Sequence, residues 1–192
     1  MINDTYYHAY NRGAHKAQIF YEAEDYERML KLLYIANNDV PFAIRDAPQN
    51  IFTVDRKKIL VDIIAYCLMP NHVHIAVKPR RGLGDLSRFM HKLMTGYSGY
   101  FNKKYDHSGT IWQGPYKEKA VHDELYLNTL IRYIHLNPYG IEEPEMTKEA
   151  RSEYTEKAVL YSREYEYSSY KDHLGIIRPQ NAILNLTEAR PK

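Results

Sequence analysis

Leu60-Val-Asp-Ile-Ile-Ala-Tyr-Cys-Leu-Met-Pro-Asn-His-Val-His-Ile-Ala-Val77 is the stretch that decides the fold. Two apolar, β-branched runs meet at Met69-Pro-Asn71, a turn signal, so the stretch reads as an antiparallel pair of strands. Side chains alternate along a strand, which sends His72 and His74 to one face while Val73 and Ile75 go to the other. Two imidazoles aimed at one point are half of a metal site. Taken alone, the pair reads equally well as two surface histidines in a chain that has nine. Its setting favours a ligand role, because a polar group inside the most hydrophobic stretch needs a partner to offset lost hydration.

Working outward, Thr5 to Arg12 is an aromatic, alternating strand closed by Gly13, and Glu22 to Asn38 carries apolar residues at helical spacing. Val40 to Lys58 has no strong pattern. After the central pair, Arg80 to Gly84 is a loop, and Asp85 is placed to cap a helix whose apolar face runs through Leu86, Phe89, Leu93, Tyr97 and Phe101. Lys117 to Val121 is extended, and Asp123 opens a helix from Glu124 to Leu136 that Asn137-Pro138 ends. Glu142 to Ser162 reads as charged and partly helical, Tyr165 to Gly175 as turn-rich, and Ile176 to Lys192 as a tail with weak structure. This order predicts an α+β fold, a ferredoxin-like antiparallel sheet with helices packed on one face and the other face open for a site.

At 192 residues the chain suits one domain with a full core. No apolar run is long enough to span a bilayer and the N-terminus lacks a secretory pattern, so a cytoplasmic protein with no membrane partner is expected. The one cysteine, Cys67, lies inside the strand pattern and reads as a buried, inert thiol. Net charge is only +2, but Arg80 to Asp106 gathers Arg80, Arg81, Arg88, Lys92, Lys103 and Lys104 against Asp85 and Asp106. That local surplus is either a nucleic-acid surface or a solvated helix face. Nineteen tyrosines fit single-stranded nucleic-acid binding and core packing alike.

On the last strong helix, Tyr133 and Asn137 stand one turn apart on one face. A phenol and an amide so placed suit a nucleophile and a metal ligand; equally, Tyr133 suits a core boundary and Asn137 a helix terminator.

Tyr-His-Ala-Tyr-Asn-Arg-Gly13, Met-Pro-Asn-His-Val-His74, Tyr-Phe-Asn-Lys-Lys104, Ile-Trp-Gln-Gly-Pro-Tyr-Lys117 and Arg-Tyr-Ile-His-Leu-Asn-Pro138 occur in one order, and together they resemble the HUH-type tyrosine transposases. The resemblance is strongest to the REP-associated tyrosine transposase branch of the IS-two-hundred-like family, and it covers about Thr5 to Gly140 together with the Tyr-Ser-Ser-Tyr170 segment. It implies a catalytic domain over residues 1–140, with 141–192 as a C-terminal extension packed on the same domain. It also implies a divalent metal, Mg²⁺ or Mn²⁺, on His72, His74 and Asn137, with Tyr133 as nucleophile. The chain departs from better-studied members in carrying Asn137 where they carry Gln, an amide of shorter reach.

The implied activity is metal-dependent nicking and joining of single-stranded DNA at a hairpin through a 5′-phosphotyrosine, by a monomer or homodimer. Arg80, Arg81, Arg88 and Lys92 are then expected to follow the phosphates, and Tyr7, Tyr10 and Asn11 to meet bases. A non-catalytic hairpin-binding protein and an unrelated metal-dependent phosphodiesterase using the histidine pair are the alternatives.

Overall fold

The structure is a computed structural model that describes residues 5–40, 44, 47–145 and 155–187. Its centre is a four-stranded sheet of β1 (Tyr6–Arg12), β2 (Val61–Met69), β3 (His72–Pro79) and β4 (Lys117–Val121), in the order β2-β3-β1-β4. Each neighbouring pair is antiparallel. Helices α1 (Ala23–Ile35), α2 (Leu83–Lys104) and α3 (Glu124–Leu136) follow the strands in the expected sequence, and the α+β, split β-α-β arrangement is the one the order of elements predicts. Short helices α4 (Tyr139–Glu142), α5 (Glu156–Glu164) and α6 (Tyr170–His173) complete the described chain. Among the described residues no helix is long and apolar enough to cross a membrane.

The main core lies between one face of the sheet and helices α1 and α2. Tyr7, Ala9, Val73, Ile75 and Val77 supply the sheet side; Met29, Leu33, Leu86, Phe89, Leu93 and Tyr97 fill from the helices. Helix α3 departs from the single helical layer: its stripe of Leu127, Leu130 and Ile134 packs on the opposite face, over Ala65, Cys67, Ala76 and Val121. The reason is steric. Ile64 and Met69 flank the short Ala65, Cys67 and Ala76 side chains, and the leucines of the helix bury themselves on that apolar patch.

With helices on both sides, β2 is buried at every position, which explains why its sequence is almost continuously apolar instead of alternating. Cys67 sits in this layer, and burial pushes its thiol far above the usual range, leaving it uncharged and unreactive.

Strand β2 is an outer strand, yet its edge is not bare. The Leu68 N–H donates to Tyr167 O at 2.9 Å, Ser169 N–H donates to Tyr66 O at 3.0 Å, and the Tyr66 N–H donates to Ser169 Oγ at 2.9 Å. Covering an edge in this way removes a template for strand-to-strand aggregation. Further along, the Asn185 N–H donates to Ile63 O at 2.9 Å and Ile183 is buried. The expected weak tail is therefore tied to the sheet as far as the chain is described, because its backbone groups satisfy those of an edge strand; residues 188–192 lie outside the described residues.

Two local details shape the site. Asp85 does not cap α2; Gly82 precedes the helix at φ 113°, and Asp85 sits in the first turn, held by Arg81 Nε at 2.8 Å. Gly13 closes β1 where a Cβ would stand 2.2 Å from Ala17 O, so only glycine fits while its N–H donates to Asn71 O at 2.9 Å. That bond pins the end of β1 to the turn just before the histidine pair.

Candidate active site

Strand register builds the floor of the site. In the β1–β3 ladder, Tyr10 lies opposite His74 and Arg12 opposite His72; in the β1–β4 ladder, Tyr10 lies opposite Lys117 and His8 opposite Lys119. Facing residues on neighbouring strands share a face, so His72, His74, His8, Tyr10, Arg12, Lys117 and Lys119 all rise from the side on which α3 packs. Helix α3 starts at Asp123, whose carboxylate accepts the Tyr126 N–H at 2.6 Å. Its sheet-facing leucines then fix its rotation, and Tyr133 and Asn137 come out along the flank that overlooks the histidines.

The result is a cleft of about 500 Å³ lined by His72, His74, Tyr133 and Asn137 together with Tyr10, Asn11, Arg12 and the Gln113–Lys117 segment. The Tyr133 ring stands edge-on to His74, centroids 5.5 Å apart, and 6.1 Å from His8. His72 and His74 are 4.9 Å apart in the same measure. The four residues of the sequence reading, far apart in the chain, thus share one cavity.

Contacts behind the imidazoles orient them. His72 Nδ1 lies 2.5 Å from Asn71 Oδ1, and the Asn71 amide is itself fixed by donating from Nδ2 to Lys16 O at 3.1 Å. An amide oxygen only accepts, so His72 carries its proton on Nδ1 and would coordinate through Nε2. His74 Nδ1 lies 2.8 Å from His8 Nε2. Burial, helped by the charge of Lys119, pushes His8 down to about 4, which keeps that imidazole neutral near pH 7.

Asn137 is the telling residue. It is 4% exposed, and among the described residues its Nδ2 has no hydrogen-bond partner. Nor does it end the helix as a left-handed residue: its backbone is helical at φ −54° and ψ −38°, immediately before Pro138, where that conformation is disfavoured. A buried amide with nothing to bond costs about 1–3 kcal/mol. Of the two ends of this amide only Oδ1 can donate to a cation, and Asn137 lines the cleft beside His72 and His74.

Among the described residues no three His, Cys, Asp or Glu side chains cluster as a metal site, so a cation here would rest on two imidazoles and one amide, with substrate oxygens or water completing the shell. That donor set fits a divalent ion, and suits Mn²⁺ better than Mg²⁺.

Not every expected residue arrives. Arg80 is bound to Asp62 through Nη2 at 2.7 Å, Arg81 to Asp85, Arg88 to Asp39, and the Lys92 ammonium to Asn38 O. None of the four lines the cleft. Arg80 lies eight residues along the chain from His72, roughly 26 Å at 3.3 Å per residue, so it sits at the other end of the sheet, and the charges of Arg80, Arg81 and Arg88 are met by carboxylates.

Tyr7 is buried in the main core. Asn11 reaches the cleft wall, but its amide is spent on structure: Nδ2 donates to Gly114 O at 3.0 Å and Oδ1 accepts the Arg12 N–H at 2.9 Å. It holds the Gln113–Pro115 segment in place. The cations that do line the cleft, Arg12 and Lys117, have no carboxylate within ion-pair distance among the described residues. They were open to detection from sequence, since Arg12 is two residues from Tyr10 on a strand and Lys117 closes the Trp-Gln-Gly-Pro-Tyr-Lys motif; what was missing was the β1–β4 register that brings them together.

Fold and cleft together define a protein of HUH layout, with a histidine pair on a central strand facing a helical tyrosine and its amide. The family model described as "Transposase IS200 like" matches residues 2–137, and the chain belongs to that family. Among solved structures, one titled "Structure of the REP associates tyrosine transposase bound to a REP hairpin" matches with a TM-score of 0.57 at 15% identity, over 94% of this chain and 86% of that one. The likeness is one of fold. No curated protein sequence matches the chain.

Proposed function

We propose that this protein cuts single-stranded DNA beside a hairpin and rejoins it through a covalent link between Tyr133 and a 5′ phosphate. The observation that carries the reading is the one cleft that His72, His74, Tyr133 and Asn137 line together. Membership of a transposase family supports it, and the REP hairpin named for the structural relative supports hairpin DNA as the partner and the REP-associated branch as the place of this chain.

The chemistry follows from the groups present. The Tyr133 oxygen attacks phosphorus, the bond from phosphorus to the 3′ oxygen breaks, and the departing strand leaves as a free 3′-OH after taking up a proton; the tyrosine proton goes to solvent. Because one ester replaces another, a second 3′-OH can reverse the exchange and join strands without an energy source. A divalent cation held by His72, His74 and Asn137 would supply charge relief at the non-bridging oxygens of the scissile phosphate. Arg12 and Lys117 hold the neighbouring phosphates, and the Tyr10 ring offers a surface on which a base can stack. All of these groups come from one chain, so one copy suffices. We read residues 1–140 and 141–192 as one folding unit, since the Tyr167–Ser169 segment completes the edge of β2.

The test is a denaturing gel. Purified protein with Mn²⁺ and a labelled hairpin oligonucleotide bearing a single-stranded flank forms a covalent adduct that Tyr133→Phe abolishes, while hairpin binding by that variant stays within about threefold. Binding without any adduct identifies a hairpin-binding protein that does not cleave; cleavage without an adduct identifies a hydrolase of another kind. Either result overturns the proposal.

A further inference from the structure

We propose that His8 is a positioning residue for the cation site, holding the His74 ring through Nδ1 so that Nε2 is turned to the cleft. This rests on the cation reading of the cleft given above.

His8 stands two residues before Tyr10 on β1, on the same face of the sheet, and diagonal to His74 across the β1–β3 ladder. The rings lie 5.0 Å apart and tilted by 30°, with His8 Nε2 2.8 Å from His74 Nδ1. One of these nitrogens donates and the other accepts. If His74 coordinates while keeping this contact, only one assignment works: His74 carries its proton on Nδ1, His8 accepts on Nε2, and the His74 lone pair is on Nε2.

The other ligand follows the same rule with a different acceptor, since His72 Nδ1 faces Asn71 Oδ1. Each imidazole of the pair therefore has an acceptor behind its Nδ1, the arrangement that fixes tautomer and ring angle in metal-binding histidines and raises their basicity. His8 is itself braced, with Tyr10 at 4.9 Å on one side and Tyr133 edge-on at 6.1 Å on the other. A residue so held transmits the position of β1 to the ligand. It also places the nucleophile-bearing ring and the ligand against one common imidazole, so cation binding and the stance of Tyr133 are linked through His8.

Mn²⁺ titration of the DNA-free protein by electron paramagnetic resonance separates this role from a merely structural one. His8→Phe keeps the ring and removes the acceptor, and Mn²⁺ affinity falls 10–100-fold. His8→Gln restores an acceptor, and affinity returns to within about threefold of the parent. Hairpin binding measured in EDTA stays within twofold for both variants, which shows that the cleft is formed. Parent-like Mn²⁺ affinity in His8→Phe, or no recovery in His8→Gln when its hairpin binding is normal, overturns the proposal. His74→Ala is the control: if it binds Mn²⁺ as the parent does, the cation reading itself fails, and the role of His8 falls with it.

Discussion

Replacing Asn137 by Leu should make the metal-free protein more stable while disabling its site. The side chain is 4% exposed and its Nδ2 has no partner among the described residues, so folding strips that group of water without replacing the lost hydrogen bonds. The penalty is about 1–3 kcal/mol, and leucine, with the same branched outline and no polar atoms, removes it. The backbone at position 137 is right-handed helical before Pro138, a conformation disfavoured for asparagine and leucine alike, so the exchange leaves that cost unchanged. For a chain of this length roughly 3 °C accompanies each kcal/mol, which places the expected rise in Tm at about 3–9 °C. Urea unfolding in EDTA should show a higher midpoint at unchanged slope. The same variant should bind Mn²⁺ more weakly and give no adduct with hairpin DNA. A fall in Tm, or a rise accompanied by parental Mn²⁺ affinity, would refute the argument, since the amide would then be serving the fold and not the cation.

Arg12→Ala and Lys117→Ala should each weaken hairpin binding and reduce the steepness of its salt dependence by about 0.7 in log–log slope, as expected for one lost phosphate contact on a single strand. Arg88→Ala, whose guanidinium is engaged by Asp39, should leave that slope unchanged in fluorescence anisotropy titrations. Arg178→Ala leaves Asp172, fully buried and bound by Arg178 through Nε at 3.0 Å, without its counter-charge. The cost should be about 3–5 kcal/mol in chemical denaturation, accompanied by faster amide exchange at Tyr66 and Leu68 as the segment over the β2 edge loosens.

Acid should destabilise the fold through His135 and His173. Burial drives both below the ordinary histidine range, with the neighbouring His173 adding to the effect on His135. A group depressed in the folded state binds protons preferentially when unfolded. Its stabilisation is thus complete above about pH 6.5 and is lost as pH falls from there toward the folded value. Thermal melts from pH 7 to pH 5 should show a declining Tm, and His135→Gln, which keeps a partner for Ser169 Oγ, should flatten that decline.

Much of the molecule was legible in the chain because the signals are local. Alternation in β1, the apolar run of β2, the Met69-Pro70-Asn71 turn and the helical spacing of α2 and α3 each depend on residues within a few positions of one another. The side of the sheet chosen by His72 and His74 follows from strand geometry alone. The basic stretch does not line the cleft, for a matching reason. Arg80, Arg81, Arg88 and Lys92 form a basic cluster in sequence, but Asp39 and Asp62, which meet part of that charge, lie outside the stretch and could not be counted against it. The structural bond of Asn11 was hidden in the same way, since the Gly114 carbonyl that takes its amide lies on a distant segment.

The sequence by itself therefore determined the elements, their order, the pairing of the two imidazoles and the one-turn spacing of Tyr133 and Asn137. Only the tertiary structure decided that α3 packs on the imidazole face, that His8 stands behind His74, and that Arg12 and Lys117 are the cations facing the cleft. Periodicity reports which side of an element is apolar; it carries no information about which other apolar surface will cover it. That choice is made by the fit of Leu127, Leu130 and Ile134 over the apolar patch of β2 and β3, and the placing of Tyr133 and Asn137 over the imidazoles follows from it.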